Sequence, residues 1–258
     1  MLVFAGFVTG LLVGLTGVGA GSMMTPLLLL VFGVAPVTAV GTDLLFAGFT
    51  KIVASRVHHT AGLIDWQVVR RLWMGSLPAS ALTVWALKQG FLALDVTALK
   101  QIIGCAVLIT ATGMLAQGRL NALGRHLRLG HAEGFKRLQP SLTVLAGFLL
   151  GFLVTLTSVG AGAVGAVMLA YLYPLRLTPS RLVATDIVHA VPLALFAGTG
   201  HLLAGNVDFA LLGWLLLGSV PGVWLGAKFS ARLPQHYLRA ALAIVLAIIG
   251  VKLTGLFL

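Results

Sequence analysis

Long apolar stretches alternate with short polar intervals along the whole chain. They cover 2–16, 22–34, 36–57, 66–88 and 96–117, and then 142–157, 163–175, 180–203, 209–231 and 237–258. A helix needs about 20 apolar residues to span a bilayer, and several stretches reach that length. Nearly continuous apolarity favours helices over the alternating pattern of a membrane barrel. The pattern therefore predicts an all-α polytopic membrane protein.

Glycine interrupts the apolar pattern at 17–21 and again, with a serine, at 158–162. The stretches on either side of each interruption have about 15 residues, which is short for a full span. Clustered glycines also weaken a helix. We expect a broken helix or a helical hairpin that turns inside the bilayer at each place. Two short, tilted spans are the alternative.

The two interruptions belong to an internal repeat. GLLVGLTGVGAG at 10–21 returns 141 residues later as GFLVTLTSVGAG, and PVTAVGTD at 36–43 returns 143 residues later as PSRLVATD. HHTAGLID at 58–65 matches HLLAGNVD, and GSLP at 75–78 matches GSVP, at the second offset. Gly, Pro, Thr, Asp and His in the same order indicate a duplicated unit. Each repeat is predicted to hold one broken element and three spanning helices.

Composition and charge place the repeats in a membrane and orient them. Apolar residues make up 59% of the chain and charged residues only 9%, against about 25% in soluble domains. The net charge of +11 lies mainly in loops, most densely at 118–140, which we predict to be a cytoplasmic linker. Repeat 1 (1–117) and repeat 2 (141–258) then have opposite orientations, the inverted-repeat design of secondary transporters. The lone Cys105 is predicted to be a buried thiol.

The segment GVGAGSMMTPLLLLVFGVAPVTAVGTDLL at 17–45, with its partial copy SVGAGAVGAV…ATD, resembles the sulfite exporter TauE/SafE family. The resemblance extends over essentially the whole chain. It implies a membrane transporter for small sulfur-containing anions such as sulfite or organosulfonates. We expect the protein to lie in the cell inner membrane and to work by alternating access. It is not expected to be an enzyme or to hold a cofactor.

The residues themselves predict an anion site at the two breaks. The N-terminus of a helix presents free N–H groups with partial positive charge, and glycine lets a small anion approach the backbone. Tight packing between helices is the alternative reason for the glycines. The candidate substrate-binding residues are Thr16, Gly17, Gly19, Gly21, Ser22, Thr42, Thr157, Ser158, Gly160, Gly162 and Thr185.

Four ionisable residues are candidates for coupling. Asp43 and Asp186 occupy equivalent positions inside spans, where a carboxylate is costly and points to function. Each could carry a proton, cap a nearby helix break or contact substrate. Lys51 could balance the substrate charge, pair with an Asp or snorkel to the interface. His189 could share a proton with Asp186, three residues earlier, or serve in packing.

Two other kinds of protein remain as alternatives. A passive anion channel would share most of these features and would ignore a proton gradient. An intramembrane aspartyl protease would need Asp43 and Asp186 close enough to share a proton. The pair His58–His59 lacks supporting ligands, so no metal site is expected. The expected partners are a small anion, the bilayer and a coupling proton, with no nucleic acid. Homo-oligomeric assembly is compatible with the sequence.

Overall fold

A computed structural model of the chain describes residues 1–16, 21–59, 62–92, 95–130, 132–229 and 235–255. These residues form helices and loops and contain no β-strand, which confirms the all-α fold. The helices are α1 Leu2–Thr16, α2 Gly21–Leu30, α3 Pro36–His59, α4 Trp66–Lys88, α5 Val96–Gly130, α6 Ala132–Thr157, α7 Ala163–Leu172, α8 Pro179–Leu203, α9 Phe209–Phe229 and α10 Gln235–Thr254.

Six helices of the described chain contain a segment long and apolar enough to cross a bilayer. The segments are Pro36–Ser55, Val96–His126, Phe135–Thr157, Pro179–Leu203, Phe209–Phe229 and Tyr237–Thr254. α1 and α7 are apolar but have only 15 and 10 residues. α4 has 23 residues and carries Arg70 and Arg71 in its first turns, which lowers its mean hydropathy. The chain is thus a polytopic helical membrane protein.

Local chemistry explains several helix boundaries. α4 begins at Trp66 because the Asp65 side chain accepts a hydrogen bond from Val68 N at 3.3 Å. Between α6 and α7, Ser158, Gly160 and Gly162 have φ angles of 58°, 111° and 142°. A right-handed helix cannot continue through these angles. The chain therefore breaks at the second predicted position, whereas residues 17–20 of the first break lie outside the described residues.

The interval predicted as a linker is mostly helical. α5 continues through 118–130 and α6 begins at Ala132. Leucine and arginine supply nine of the 23 residues at 118–140, and both are good helix formers. α6 is consequently 26 residues long, whereas the apolar stretch 142–157 predicted a helix too short for a full span.

Glycine seams join the two halves. α1 packs mainly against α9, and α6 packs mainly against α4. A Cβ atom placed on Gly10 would lie 2.5 Å from the Ser219 carbonyl oxygen, and one on the equivalent Gly151 would lie 2.2 Å from that of Ser76. The backbones are therefore in direct contact, as small residues allow between membrane helices.

Equivalent residues of the two repeats make reciprocal contacts across the centre. Thr42 Oγ1 accepts a hydrogen bond from Asp208 N at 3.0 Å, and Thr185 Oγ1 accepts one from Asp65 N at 3.1 Å. α3 also packs against its counterpart α8, and α5 against α10. The two copies of the repeat thus form two halves that contact each other through equivalent residues and helices. Their opposite orientation in the bilayer stays a prediction.

Cys105 is exposed on α5, so the prediction of a buried thiol is wrong. The apolar neighbours of Cys105 in the sequence indicate burial in a soluble protein, but the helices of a membrane protein also present apolar side chains to lipid.

Candidate functional site

Lys51 lies inside the helix bundle at the break between α6 and α7. Its side chain is on α3 and only 1% exposed, so it does not snorkel to the interface. Lys51 Nζ donates a hydrogen bond to the Ala161 carbonyl oxygen at 2.5 Å. Within the described chain, the direct ion pairs are those of Asp65 with Arg176 and Arg181, so Lys51 has no carboxylate in direct contact. It does lie within electrostatic range of both Asp43 and Asp186.

The break beside Lys51 also offers hydrogen-bond donors. Gly162 precedes α7 and provides no side-chain cap, so the first N–H groups of α7 have no capping side chain. The Ser158 hydroxyl is buried and has no hydrogen-bond partner. Thr157 instead bonds locally, to Leu153 O at 2.7 Å and from Val159 N at 3.1 Å. A lysine, a helix N-terminus and a serine hydroxyl therefore meet at one break, a chemistry that favours a small anion.

Asp43 is held by one residue of α2, Thr25. Its Oδ2 accepts hydrogen bonds from Thr25 N at 3.1 Å and from Thr25 Oγ1 at 2.5 Å. Ser158 lies beside the same carboxylate without completing a hydrogen bond to it, and Oδ1 has no partner. Asp43 is fully buried and ties α3 to α2.

Asp186 occupies the equivalent position but has different surroundings. Its Oδ1 is buried and has no hydrogen-bond partner. At the offset of 141 that relates the two glycine clusters, the counterpart of Thr25 is Ala166, which has no hydroxyl. The Ala166 N–H is engaged by Gly162 O at 3.0 Å. The two aspartates are thus unequal, and no hydrogen bond joins them.

The remaining candidate residues fall into two groups: some make hydrogen bonds to other helices, and the others lie at or near the two breaks. His189 Nε2 lies 3.0 Å from Ser76 Oγ and its Nδ1 has no hydrogen-bond partner, so no hydrogen bond joins His189 to Asp186. Thr42 and Thr185 bond the capping aspartates of the other half, as described above. Ser22 is buried near the start of α2. Gly160 and Gly162 lie in the second break, Gly21 begins α2, and Gly17 and Gly19 fall outside the described residues.

A small cavity adjoins Asp186. Thr16, Gln117, Gly162, Ala166 and Arg239 line it together with the carboxylate. Its volume of about 10 Å³ is room for about one water molecule. Two of the lining residues bond each other: Arg239 Nη1 donates to Gln117 Oε1 at 2.9 Å. The Thr16 hydroxyl donates to Leu12 O at 2.6 Å.

The two ends of the bundle differ. A mostly apolar cavity of about 790 Å³ lies where α4 and α8 end, and Lys88, His201 and Asn206 are among its polar lining. At the opposite end, where α4 and α8 begin, Asp65 pairs with Arg176 at 2.6 Å. One end is thus hollow, and an ion pair ties helices together at the other.

Since the sequence predicts anion transport coupled to a proton, substituting Gly165 by alanine is expected to reduce uphill anion uptake driven by a pH gradient, because a Cβ there would lie 2.1 Å from Asp186 Oδ1. The Asp186 carboxylate would have to rotate away from its present position. Flux into proteoliposomes measures the effect. Gly213→Ala is the matched control, since nothing lies within 4 Å of that glycine. Equal flux in both variants would contradict a role for the Asp186 position.

Sequence reasoning missed several residues of this site. They are Thr25, Ser76, Gly165 and Arg239, which contact or surround the predicted residues. The first three are not ionisable, and Arg239 lies near the start of its apolar stretch, where a basic residue is common. Reading the two repeats position by position would have found one of them, since Thr25 has alanine as its counterpart.

A polytopic helical bundle with a buried lysine and two buried carboxylates around a broken helix has the construction of a membrane transporter. The chain belongs to the sulfite exporter TauE/SafE family, whose profile matches residues 2–253.

Named relatives agree with the family. The Bacillus subtilis (strain 168) protein named "Probable membrane transporter protein YjnA" is 34% identical over 259 residues, which cover 98% of both chains. "Probable membrane transporter protein YdhB" of the same organism is 26% identical and covers 98% of this chain and 99% of its own. "Probable membrane transporter protein MJ0441" of Methanocaldococcus jannaschii is 25% identical over 97% and 93% of the two chains. No solved structure matches significantly.

Proposed function

We propose that the protein is a secondary transporter of small sulfur-containing anions, either sulfite or an organosulfonate, in the cell inner membrane. The observation that carries the proposal is Lys51, buried at the α6–α7 break with no carboxylate in direct contact. A charged side chain at the centre of a bilayer costs about 2.5–3.5 kcal/mol or more, so it marks a functional site. An anion bound there would face the ammonium group, Ser158 and the first N–H groups of α7.

The family name supports the substrate class. It refers to sulfite export, and a sulfonate presents the same kind of sulfur oxyanion on an organic group. Backbone N–H groups and one lysine suit such a compact, multi-oxygen anion, because several donors can reach its oxygens at once.

Alternating access is the proposed mechanism. The hollow end beside Lys88 and His201 would admit the anion, and the Asp65–Arg176 pair would close the opposite end. If the open end then closed and the end held by the ion pair opened, the bound anion would be released on the other side of the membrane. Coupling to a proton through Asp43 or Asp186 would drive the transport, since both carboxylates lie within electrostatic range of Lys51.

Flux into proteoliposomes tests the proposal. Radiolabelled sulfite and a small radiolabelled sulfonate are offered with and without an imposed pH gradient. Saturable uptake of either anion, driven uphill by the gradient, is the expected result. Uptake that ignores the gradient and has the high turnover of a pore would favour a passive channel instead. If neither anion enters faster than into protein-free vesicles, the substrate assignment is wrong.

A further inference from the structure

We propose that Asp186, and not Asp43, takes up the coupling proton, and that the water-sized cavity towards Arg239 is the path by which the proton reaches it. This assignment rests on the proposed function. It follows from the unequal surroundings of two carboxylates that the repeat makes equivalent in sequence.

The hydrogen bonds separate the two residues. Both donors of Thr25 point at Asp43 Oδ2, and such bonds favour the ionised carboxylate and hold it in place. Asp186 Oδ1 receives no hydrogen bond, because Ala166 has no hydroxyl and its N–H is used by Gly162 O. Asp43 is therefore held in place by two donors of Thr25, whereas no hydrogen bond holds Asp186 Oδ1 or favours the charged form there.

The two aspartates also differ in their access to a cavity. Asp186 lines a space with room for one water molecule, and the space continues to Gln117 and Arg239 on α5 and α10. A hydronium ion in this space can protonate one Asp186 oxygen: an O–H bond of the hydronium breaks, the carboxyl O–H bond forms and a neutral water molecule remains. The reverse transfer regenerates hydronium and the carboxylate. Asp43 lines neither this cavity nor the hollow end.

The charged groups around Asp186 favour a proton over a metal cation. Lys51 on α3 acts on it electrostatically, and Arg239 on α10 lines the same cavity. On α8 itself, His189 is engaged with Ser76. α7 contains no charged residue, those of α4 and α6 lie only near the helix ends, and Asp43 on α3 is bonded to Thr25. Two fixed cations repel Na⁺, whereas a proton neutralises the carboxylate by a covalent bond.

The test compares Asp186→Asn with Asp43→Asn in proteoliposomes. A sulfonate is the probe because its charge does not change with pH in the working range. Uphill uptake driven by a pH gradient and exchange of internal for external sulfonate are measured separately, and a trapped pH dye reports proton entry. Asp186→Asn is expected to keep exchange, to lose uphill uptake and to abolish the dye signal. Asp43→Asn is expected to slow both fluxes but to keep their response to pH.

A second pair of variants isolates the missing hydroxyl. Ala166→Thr supplies Asp186 with the donor that Thr25 gives to Asp43, so uphill uptake and the dye signal should fall while exchange persists. Ala166→Val has the same shape without the hydroxyl and should impair coupling less. The assignment to Asp186 is overturned if Asp43→Asn alone uncouples the protein, if threonine and valine act alike, or if a Na⁺ gradient drives uptake. Absence of exchange of both the sulfonate and sulfite in the wild-type protein would instead overturn the proposed function.

Discussion

Replacing Lys51 by methionine is expected to lower anion flux at low substrate concentration by at least about tenfold, equivalent to about 1.4 kcal/mol of lost binding. Methionine preserves most of the length and apolar volume of the lysine stem, so the packing of α3 should survive. The positive charge at Ala161 O would be gone, and the anion would face two buried carboxylates without the cation that offsets them.

The expected signature is a rise in KM, because the ammonium group attracts the anion in its bound state. Initial rates of uptake over a range of sulfonate concentrations give KM and maximal rate separately. Lys100→Met is the matched control, since Lys100 is exposed on α5. A Lys51→Met protein with the KM and maximal rate of the wild type would remove Lys51 from the anion site.

The ends of the helices could be predicted from the sequence where a capping residue or a cluster of glycines marks them. Asp65 set the start of α4, and the glycines of 158–162 set the break before α7, because capping and positive φ angles are local properties. The linker was less accessible to prediction. Polar residues there suggested a loop, yet their high helix propensity extends α5 and α6 beyond the apolar segments.

The partners of each helix could not be predicted from the pattern of apolar residues. A helix that is apolar on every side carries no stripe to say which face meets which neighbour. The packing of α1 on α9 and of α6 on α4 therefore emerged only from the structure. The glycines that mark these contacts had been noted as a possible packing signal, but glycine spacing does not identify the opposing helix.

At the candidate site, the sequence likewise indicates which residues matter but not which distant residues they contact. Asp43, Asp186 and Lys51 stood out because charge is rare in apolar spans. Their contacts did not follow from the sequence: Lys51 reaches Ala161 from far away in the chain, and His189 bonds Ser76 and not the nearby Asp186. Duplication preserved the positions of the aspartates, whereas differences between the repeats, such as Thr25 against Ala166, made their surroundings unequal.

The glycine seams lead to the second large effect, which concerns stability. Gly10→Ala and Gly151→Ala are each expected to destabilise the protein by about 1–3 kcal/mol, the usual cost of overpacking. The new Cβ atoms would lie 2.5 Å and 2.2 Å from carbonyl oxygens of the opposing helix, and a backbone cannot rotate out of the way as a side chain can. Equivalent seams should respond alike if the two halves are built on one plan.

Thermal unfolding in detergent, followed by tryptophan fluorescence, measures this effect, and a chain of this size loses about 2–4 °C in Tm for each kcal/mol. Gly213→Ala is the control, because Gly213 lies on α9 with nothing within 4 Å, so alanine there should leave Tm unchanged or raise it. A double variant of Gly10 and Gly151 should show additive losses, since the seams share no residue. A wild-type Tm in either single variant would mean that the helices can separate without cost, and the close backbone contact would then not hold the two halves together.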